Sequence, residues 1–443
     1  MKRSALLLAL SLAAPTAFAE NLLEIYRLAQ EHDPAWARAL ANHQAGIEKG
    51  PQGRALLLPS AIFNAGAAKL NQDTQFGTID GTFRYRSDTY SVVVTQPLYR
   101  KQNFAAYAQG LSGVSQAEAE LAGARQELIL RVSNAYFEVL AALDTLEHAA
   151  SEKQAIARQL ALAKRNYNVG AKTLVDVHEA QARHDLANAQ EIAAGIDLKS
   201  KQEALIQIVR SSPAALARLG SRLPLEAPQP NDPDPWTAAA HAQNPQIKIK
   251  EEALEIALQE IEKNRGSHYP TLDLVASRSY SDAGGSAFGT PIETTTDQIA
   301  LQLQVPLYQG GGVASKLRES LARRDEAREA LEQTRREVTR QTRDAYVAVA
   351  SGLERVRALE QALASQQRSL ETTLQGFETG VRTGIDVLNA QRDLYRTKRD
   401  LSQARYGYLI NRLRLKAAAG TLSEDDLLAL NALLDSSKVA SGK

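Results

Sequence analysis

Cysteine is absent from the 443 residues. Disulfides and thiolate metal sites are therefore excluded. Long apolar runs are absent as well. Beyond residue 19 no stretch reaches the roughly 18 consecutive apolar residues of a spanning helix. Mean hydropathy is −0.32. A helical membrane protein is excluded, but a membrane β-barrel is not, because its lipid face shows only as alternation. An excess of one charge is the third absence. Without Lys2 and Arg3 the chain carries 50 basic and 51 acidic residues. That balance gives no bulk electrostatic case for nucleic acid. Constellations for chemistry are missing too. His178 and His184 lie six apart, which does not place them on one helix face for a metal. No Ser-His-Asp set stands out. Gly310-Gly311-Gly312 lacks the Gly-Lys-Ser/Thr ending of a phosphate loop and predicts a strand-to-helix bend. No enzyme, cofactor or metal is expected.

What is present begins with an export signal. Lys2 and Arg3 precede an apolar core, Leu6 to Ala14, and Ala17-Phe18-Ala19 reads as a cleavage site. No Cys follows, so no lipid anchor is expected there. An exported chain without disulfides must be held by packing or assembly.

The rest of the chain says everything twice. Asp33-Pro34 matches Asn244-Pro245, each read as a helix cap followed by Pro at the first helical position. Pro59 matches Pro270, Pro97-Leu98-Tyr99 matches Pro306-Leu307-Tyr308, and Ala135-Tyr136 matches Ala345-Tyr346. YNVGAKTLVDVHEAQ, residues 167–181, matches FETGVRTGIDVLNAQ, residues 377–391. The offset stays near 210 throughout, which indicates a duplicated fold. The expected organisation is a signal peptide 1–19, a first repeat 20–222, a Pro-rich linker 223–235, a second repeat 236–420 and a C-terminal segment 421–443. Linker and C-terminal segment are placed near mid-height, the latter packed there or disordered.

Each repeat reads as short helix, strand, loop, strand, very long helix, turn, helix. Ile299, Leu301, Leu303 and Val305 alternate on one face, as do Leu272, Leu274 and Ala276, and 90–95 is rich in β-branched residues. Gly77 and Gly81, and then Gly284, Gly285 and Gly289, predict two hairpins with longish loops. Residues 100–169 and 309–379 contain no proline. Leu121, Leu128, Val132, Ala135, Val139, Leu143 and Leu146 mark a seam with coiled-coil spacing. Leu331, Val338, Ala345, Val349, Val356, Leu359, Leu363, Leu370, Leu374 and Phe377 mark a second. Each run would make a helix of about 105 Å. Helices 171–211 and 381–419 return from them, and helices 22–57 and 236–265 precede the hairpins. A short pair stacked end to end matches one long helix. Four strands cannot close a barrel in lipid. Three copies would supply twelve.

The duplicated layout, the Pro-Leu-Tyr strand exits, the linker and the two turn motifs resemble the TolC family of Gram-negative outer-membrane channel-tunnels over nearly the whole chain. The resemblance implies a mainly α fold with a small β part. Long coiled-coil helices would form an α-helical barrel, and four strands would join a twelve-stranded transmembrane β-barrel in a homotrimer. It implies an outer-membrane location with the tunnel in the periplasm. The implied partners are a periplasmic adaptor, an inner-membrane ABC exporter or proton-driven pump, and outer-membrane lipid.

Gly170 and Gly380 suit helix ends that need positive φ. Thr173 and Thr383 could open the next helices, with Asp176 and Asp386 in their first turns. The resemblance adds roles. Gly170, Ala171, Thr173, Gly380, Val381 and Thr383 would form an adaptor-docking rim. Phe377 and Arg382, near Asp176 and its neighbour Lys172, would hold a periplasmic gate shut. Asp386 would belong to an acidic ring with a weak cation block, because Asn389 stands where a second ring is expected. Tyr99 and Tyr308 suit an aromatic girdle. The C-terminal stretch looks like members serving type I protein secretion, so an exit duct for that system is expected. Multidrug or small-molecule efflux is the alternative. A soluble coiled-coil scaffold is the rival from another class.

Overall fold

A computed structural model describes residues 20–440 apart from 78, 172, 214, 221–222 and 287–289. The expected signal peptide, Lys172 and Gly289 lie outside the described residues. In chain order the elements are α1 (Leu22–His32), α2 (Pro34–Ile47), α3 (Lys49–Ala55), β1 (Ser60–Phe76), β2 (Ile79–Tyr99), α4 (Lys101–Asn168) and α5 (Leu174–Val209). Then follow β3 (Leu216–Leu219), α6 (Pro233–Gln243), α7 (Pro245–Gly266), β4 (Thr271–Ala283), β5 (Ile292–Gln304), α8 (Gly312–Glu378), α9 (Gly384–Ala418), α10 (Glu424–Asn431) and β6 (Leu434–Ala440). They divide into two compact units, one from Leu40–Ala122 and Pro245–Arg336, the other from the remaining segments.

The first unit holds a four-stranded antiparallel sheet in the order β1-β2-β4-β5. Among the described residues neither outer edge has a further partner strand. The first hairpin differs from expectation. β1 runs to Phe76, which pairs with Ile79 at the start of β2, and Gly77 is at φ +59°, where a longer loop was expected. Gly81 sits inside β2 opposite Thr74. Cross-strand bonds explain the extension: Arg84 Nε donates to Asn71 Oδ1 at 3.2 Å and Tyr85 donates to Gln72 at 2.8 Å. Gly46, Gly50 and Gly53 line α2 and α3 where they meet Ala117, Val114 and Tyr107 of α4. A Cβ at Gly46 would collide with that of Ala117. These glycines let the helices approach closely.

In the second unit α4 buries Leu128, Ile129, Val132, Tyr136, Phe137 and Leu140, and α1 buries Leu22, Ile25 and Tyr26. Each such side chain contributes about 1.5–3 kcal/mol. The expected helix 22–57 is broken. Asp33, at ψ 118°, ends α1 and accepts from the Ala35 N–H, while Pro34 starts α2. Pro lacks the N–H that would continue the helix and pushes the residue before it out of the α region. Asn244, at ψ 122°, breaks 236–265 in the same way.

The linker also differs from its reading as wholly irregular. Its last prolines enter α6, whose cap is Asp232 and whose first residue is Pro233, a position where the missing N–H does no harm. The C-terminal segment forms α10 and then β6, which pairs with β3. Hydroxyls tie this region to α4, α8 and α9. Tyr136 donates to the Ala217 carbonyl at 2.7 Å, Tyr346 to Asn231 at 3.0 Å and Tyr408 to the Glu226 carbonyl at 2.6 Å.

Candidate functional site

The two repeated motifs fold into turns with the same backbone hydrogen-bond pattern. At the end of α4, Gly170 has φ +76° and donates to the Tyr167 carbonyl at 2.9 Å. The Ala171 N–H reaches the Asn166 carbonyl at 2.9 Å. At the end of α8, Gly380 has φ +80° and donates to Phe377 at 3.2 Å, while Val381 and Arg382 both donate to the Gly376 carbonyl. Positive φ is the reason for glycine here. Three residues later the chain re-enters a helix through identical capping boxes. Thr173 accepts from the Asp176 N–H and Asp176 accepts from the Thr173 N–H; Thr383 and Asp386 repeat the pattern. The glycines, Ala171, Val381 and Arg382 are exposed.

These contacts fix what the acidic residues do in one chain. Asp386 Oδ2 accepts from the Thr383 N–H at 2.9 Å and from its hydroxyl at 2.9 Å. Those bonds, with the nearby Arg382 charge, hold its carboxyl below the usual range. Arg382 itself lies back over Gly376. Phe377 lies against Gly384 and shares a small crevice of about 30 Å³ with Asp176, Gln159, Asn166, Ile385 and Leu388. Ile156, Leu160, Ala180, Ala187 and Leu388 form the apolar cluster close by. Asn389 Oδ1 accepts from Arg183 of α5 at 3.4 Å. The structure thus brings Phe377, Asp176 and the turn residues together, and it adds Arg183, which the sequence did not single out. A lone arginine on a helix carries no signal of its partner.

The sheet has two unlike faces. Register places Leu303, Leu301 and Ile299 beside Leu272, Leu274 and Ala276, whose partners on β2 are Tyr99, Gln96 and Val94; the next rows on the same face are Phe63, Val92, Arg278 and Asp297, then Ala65, Tyr90, Tyr280 and Thr295. Ile299 is 80 %, Leu301 68 % and Leu303 64 % exposed. The opposite face carries Asn64, Ser91, Ser277, Ser279, Thr296 and Gln298, with Ile62, Val93 and Val275 its larger apolar members. This face runs from Leu272 to Tyr280, roughly 27 Å at about 3.4 Å per residue, and is apolar apart from Gln96, Thr295 and the Arg278–Asp297 pair, 3.7 Å apart. Its height compares with the apolar band of a membrane barrel, about 25 Å tall. Tyr99 closes β2 opposite Leu272 at one end. Tyr90 and Tyr280 stack at the other, with ring centroids 6.3 Å apart. Tyr280 was not read from the sequence, although its alternation with Leu272, Leu274 and Ala276 was available. Tyr308 is not at a strand end as expected. β5 stops at Gln304, because Pro306 cannot donate to a ladder, and Tyr308 is an exposed loop residue.

A two-faced sheet of membrane height and paired helical turns agree with what comparisons find. The family model described as "Outer membrane efflux protein" matches residues 25–209 and again 236–421. The chain belongs to the outer membrane efflux protein family. It is 34 % identical to "Alkaline protease secretion protein AprF" of Pseudomonas aeruginosa, over 93 % of this chain and 86 % of that one. It is 33 % identical to "Outer membrane protein TolC" of Vibrio cholerae, over 97 % of both. Among solved structures, the outer membrane protein VceC from Vibrio cholerae superposes with a TM-score of 0.78 at 21 % identity, over 90 % of this chain and 96 % of VceC. The protein is therefore an outer-membrane channel of the TolC type, its helical part lying in the periplasm. Both matches to the family model cover one hairpin, one long helix and one glycine turn, so the duplication is that of the family.

Proposed function

We propose that three copies of the chain form the exit duct of a type I protein secretion system. The observation that carries this is the sheet: one largely apolar face, one largely polar face and two edges with no partner strand among the described residues. Unpaired edges are prohibitive in lipid. β1 and β5 run in opposite directions, so β5 of one copy can pair antiparallel with β1 of the next, and three copies close a ring. The polar face then lines water and the apolar face meets lipid. On α5, Val175, Leu186, Ile192 and Ile196 are exposed. A neighbouring copy would cover them.

The 34 % identity to a protein named for protease secretion supports protein cargo. The partners are then a periplasmic adaptor and an inner-membrane ABC exporter, and the duct is passive, without catalysis. The family description favours a second reading, small-molecule efflux with a proton-driven pump. Deleting the gene and measuring secreted protease beside drug susceptibility separates them. Loss of secretion supports the first, and drug sensitivity with intact secretion supports the second.

The turns serve as the adaptor-docking rim and the gate. Phe377 of the second turn shares a crevice with Asp176 of the first, and the Arg382 charge acts on Asp386; exposed ion pairs of modest strength made by these groups would form a reversible latch. With Asn389 bonded to Arg183, only Asp386 contributes an acidic ring, which makes cation block weak. Arg382→Ala should raise single-channel conductance in planar bilayers; unchanged conductance sinks the latch.

A further inference from the structure

The sheet's polarity inverts above its tyrosine row. Below it, the face of Tyr90 is largely apolar, with Gln96 and the Arg278–Asp297 pair its polar members, and the opposite face is largely Ser, Thr, Asn and Gln around Ile62, Val93 and Val275. Above it, the face of Tyr90 carries Asp88, Arg86 and Arg84 on β2 and Lys69 and Asn71 on β1. The opposite face, polar until then, carries Tyr85 and Phe83 on β2 and Leu70 on β1. Tyr85 pairs in register with Leu70, and its hydroxyl bonds to Gln72 at 2.8 Å.

The connection leaving β4 lies on that inverted patch. The Gly284 N–H donates to the Arg86 carbonyl at 2.8 Å. Gly285 sits so close to Tyr85 that a Cβ there would lie 2.7 Å from the tyrosine Cβ and 3.0 Å from Cγ. Gly285 and Ser286 are buried, in a tip that is otherwise largely exposed. Leu70 remains 38 % exposed.

We infer that Tyr85, Phe83 and Leu70, with the Gly284–Ser286 segment seated on Tyr85, form an aromatic collar that narrows the outer mouth of the duct and sets the size of what passes. This rests on the barrel proposed above, in which the polar face lines the lumen. The physical reason is the inversion itself. Beyond the lipid, apolar side chains on the outward face would meet water. Turned inward, they meet their counterparts from the other copies across the axis. Gly285 is required because any side chain would lift the segment off the ring.

The absence of native cysteine makes the test clean. A thiol is placed on the lumen face by Ser91→Cys in the full chain, expressed in intact cells. Two maleimides that cannot cross the outer membrane unaided are applied, one compact and one carried on a bulky polyethylene glycol. The compact reagent is expected to label the thiol at position 91, while the bulky one labels it only after Tyr85→Ala or Phe83→Ala is added. Surface exposure of heat-resistant assemblies verifies that each variant folds. Equal labelling by both reagents with Tyr85 present overturns the collar and leaves the duct standing. No labelling by either reagent, with or without Tyr85, overturns the lumen assignment and the collar with it.

Discussion

The two long helices are almost equal in length, 68 residues in α4 and 67 in α8, yet they are stabilised differently. In the helical unit, α4 buries a broad face that includes Leu128, Ile129, Val132, Tyr136, Phe137 and Leu140. There α8 buries a narrow seam of Val338, Val349, Leu353 and Val356. Farther toward its turn, Leu359, Leu363, Leu370 and Leu374 are only half-buried. A broad stripe is what a helix packed in a core needs, and a narrow one is what a coiled-coil partner needs. The first repeat therefore anchors the chain. The second is left more exposed in the single chain.

The largest test of this contrast is truncation in the broad face. Phe137→Ala should cost about 3–5 kcal/mol, read as a fall in the thermal midpoint, whereas Leu370→Ala should leave the helical content of the single chain unchanged and lower only the temperature at which copies separate. An equal effect of both would erase the distinction. Next in size is the charge pair that ties α9 to α4. Arg399 meets Glu152 at 2.9 Å, and the Glu152 side chain is 4 % exposed. Arg399→Ala leaves that carboxylate buried alone and should cost about 3 kcal/mol.

A smaller effect is expected where the two helices end alike. Because both turns carry the same capping box, Thr173→Ala and Thr383→Ala should each cost about 1 kcal/mol. Unequal costs in denaturant titration would show that one turn has a partner the other lacks. The smallest effect is a pH dependence. Burial, aided by Lys398 and Arg399, pushes the His148 imidazole down from 6.5, against Asp144 and Glu147. Its contribution to stability is therefore complete above 6.5 and is lost as pH falls below it. Burial raises the Asp144 carboxyl, despite the bonds from Tyr406 and Ser402, so acid relieves that group instead. His148→Gln should flatten the decline in thermal midpoint between about pH 7 and 5.5; an unaltered slope contradicts it.

Much of this was legible in the chain. The long helices and their glycine turns were, because a proline-free heptad run ending in Gly-x-x-Thr leaves few alternatives. The strands were visible where one face is apolar, as at Leu272–Ala276. Three things were not. β3 and β6 have no periodicity of their own and exist by pairing with each other. The outer ribbon beyond Asp88 was read as loop, because its alternation is of charge and aromatic rather than apolar and polar. The bond of Asn389 depends on which groups lie within hydrogen-bond reach, and Arg183 is known only once the helices are placed, whereas Thr383 before Asp386 was readable as a helix start.

The central claim is that several copies close one sheet. The decisive measurement is the protein mass of the complex extracted from outer membranes, by light scattering with the detergent contribution subtracted. Three times the mass of the processed chain is predicted. A monodisperse single chain, stable in detergent or free in the soluble fraction, would contradict it.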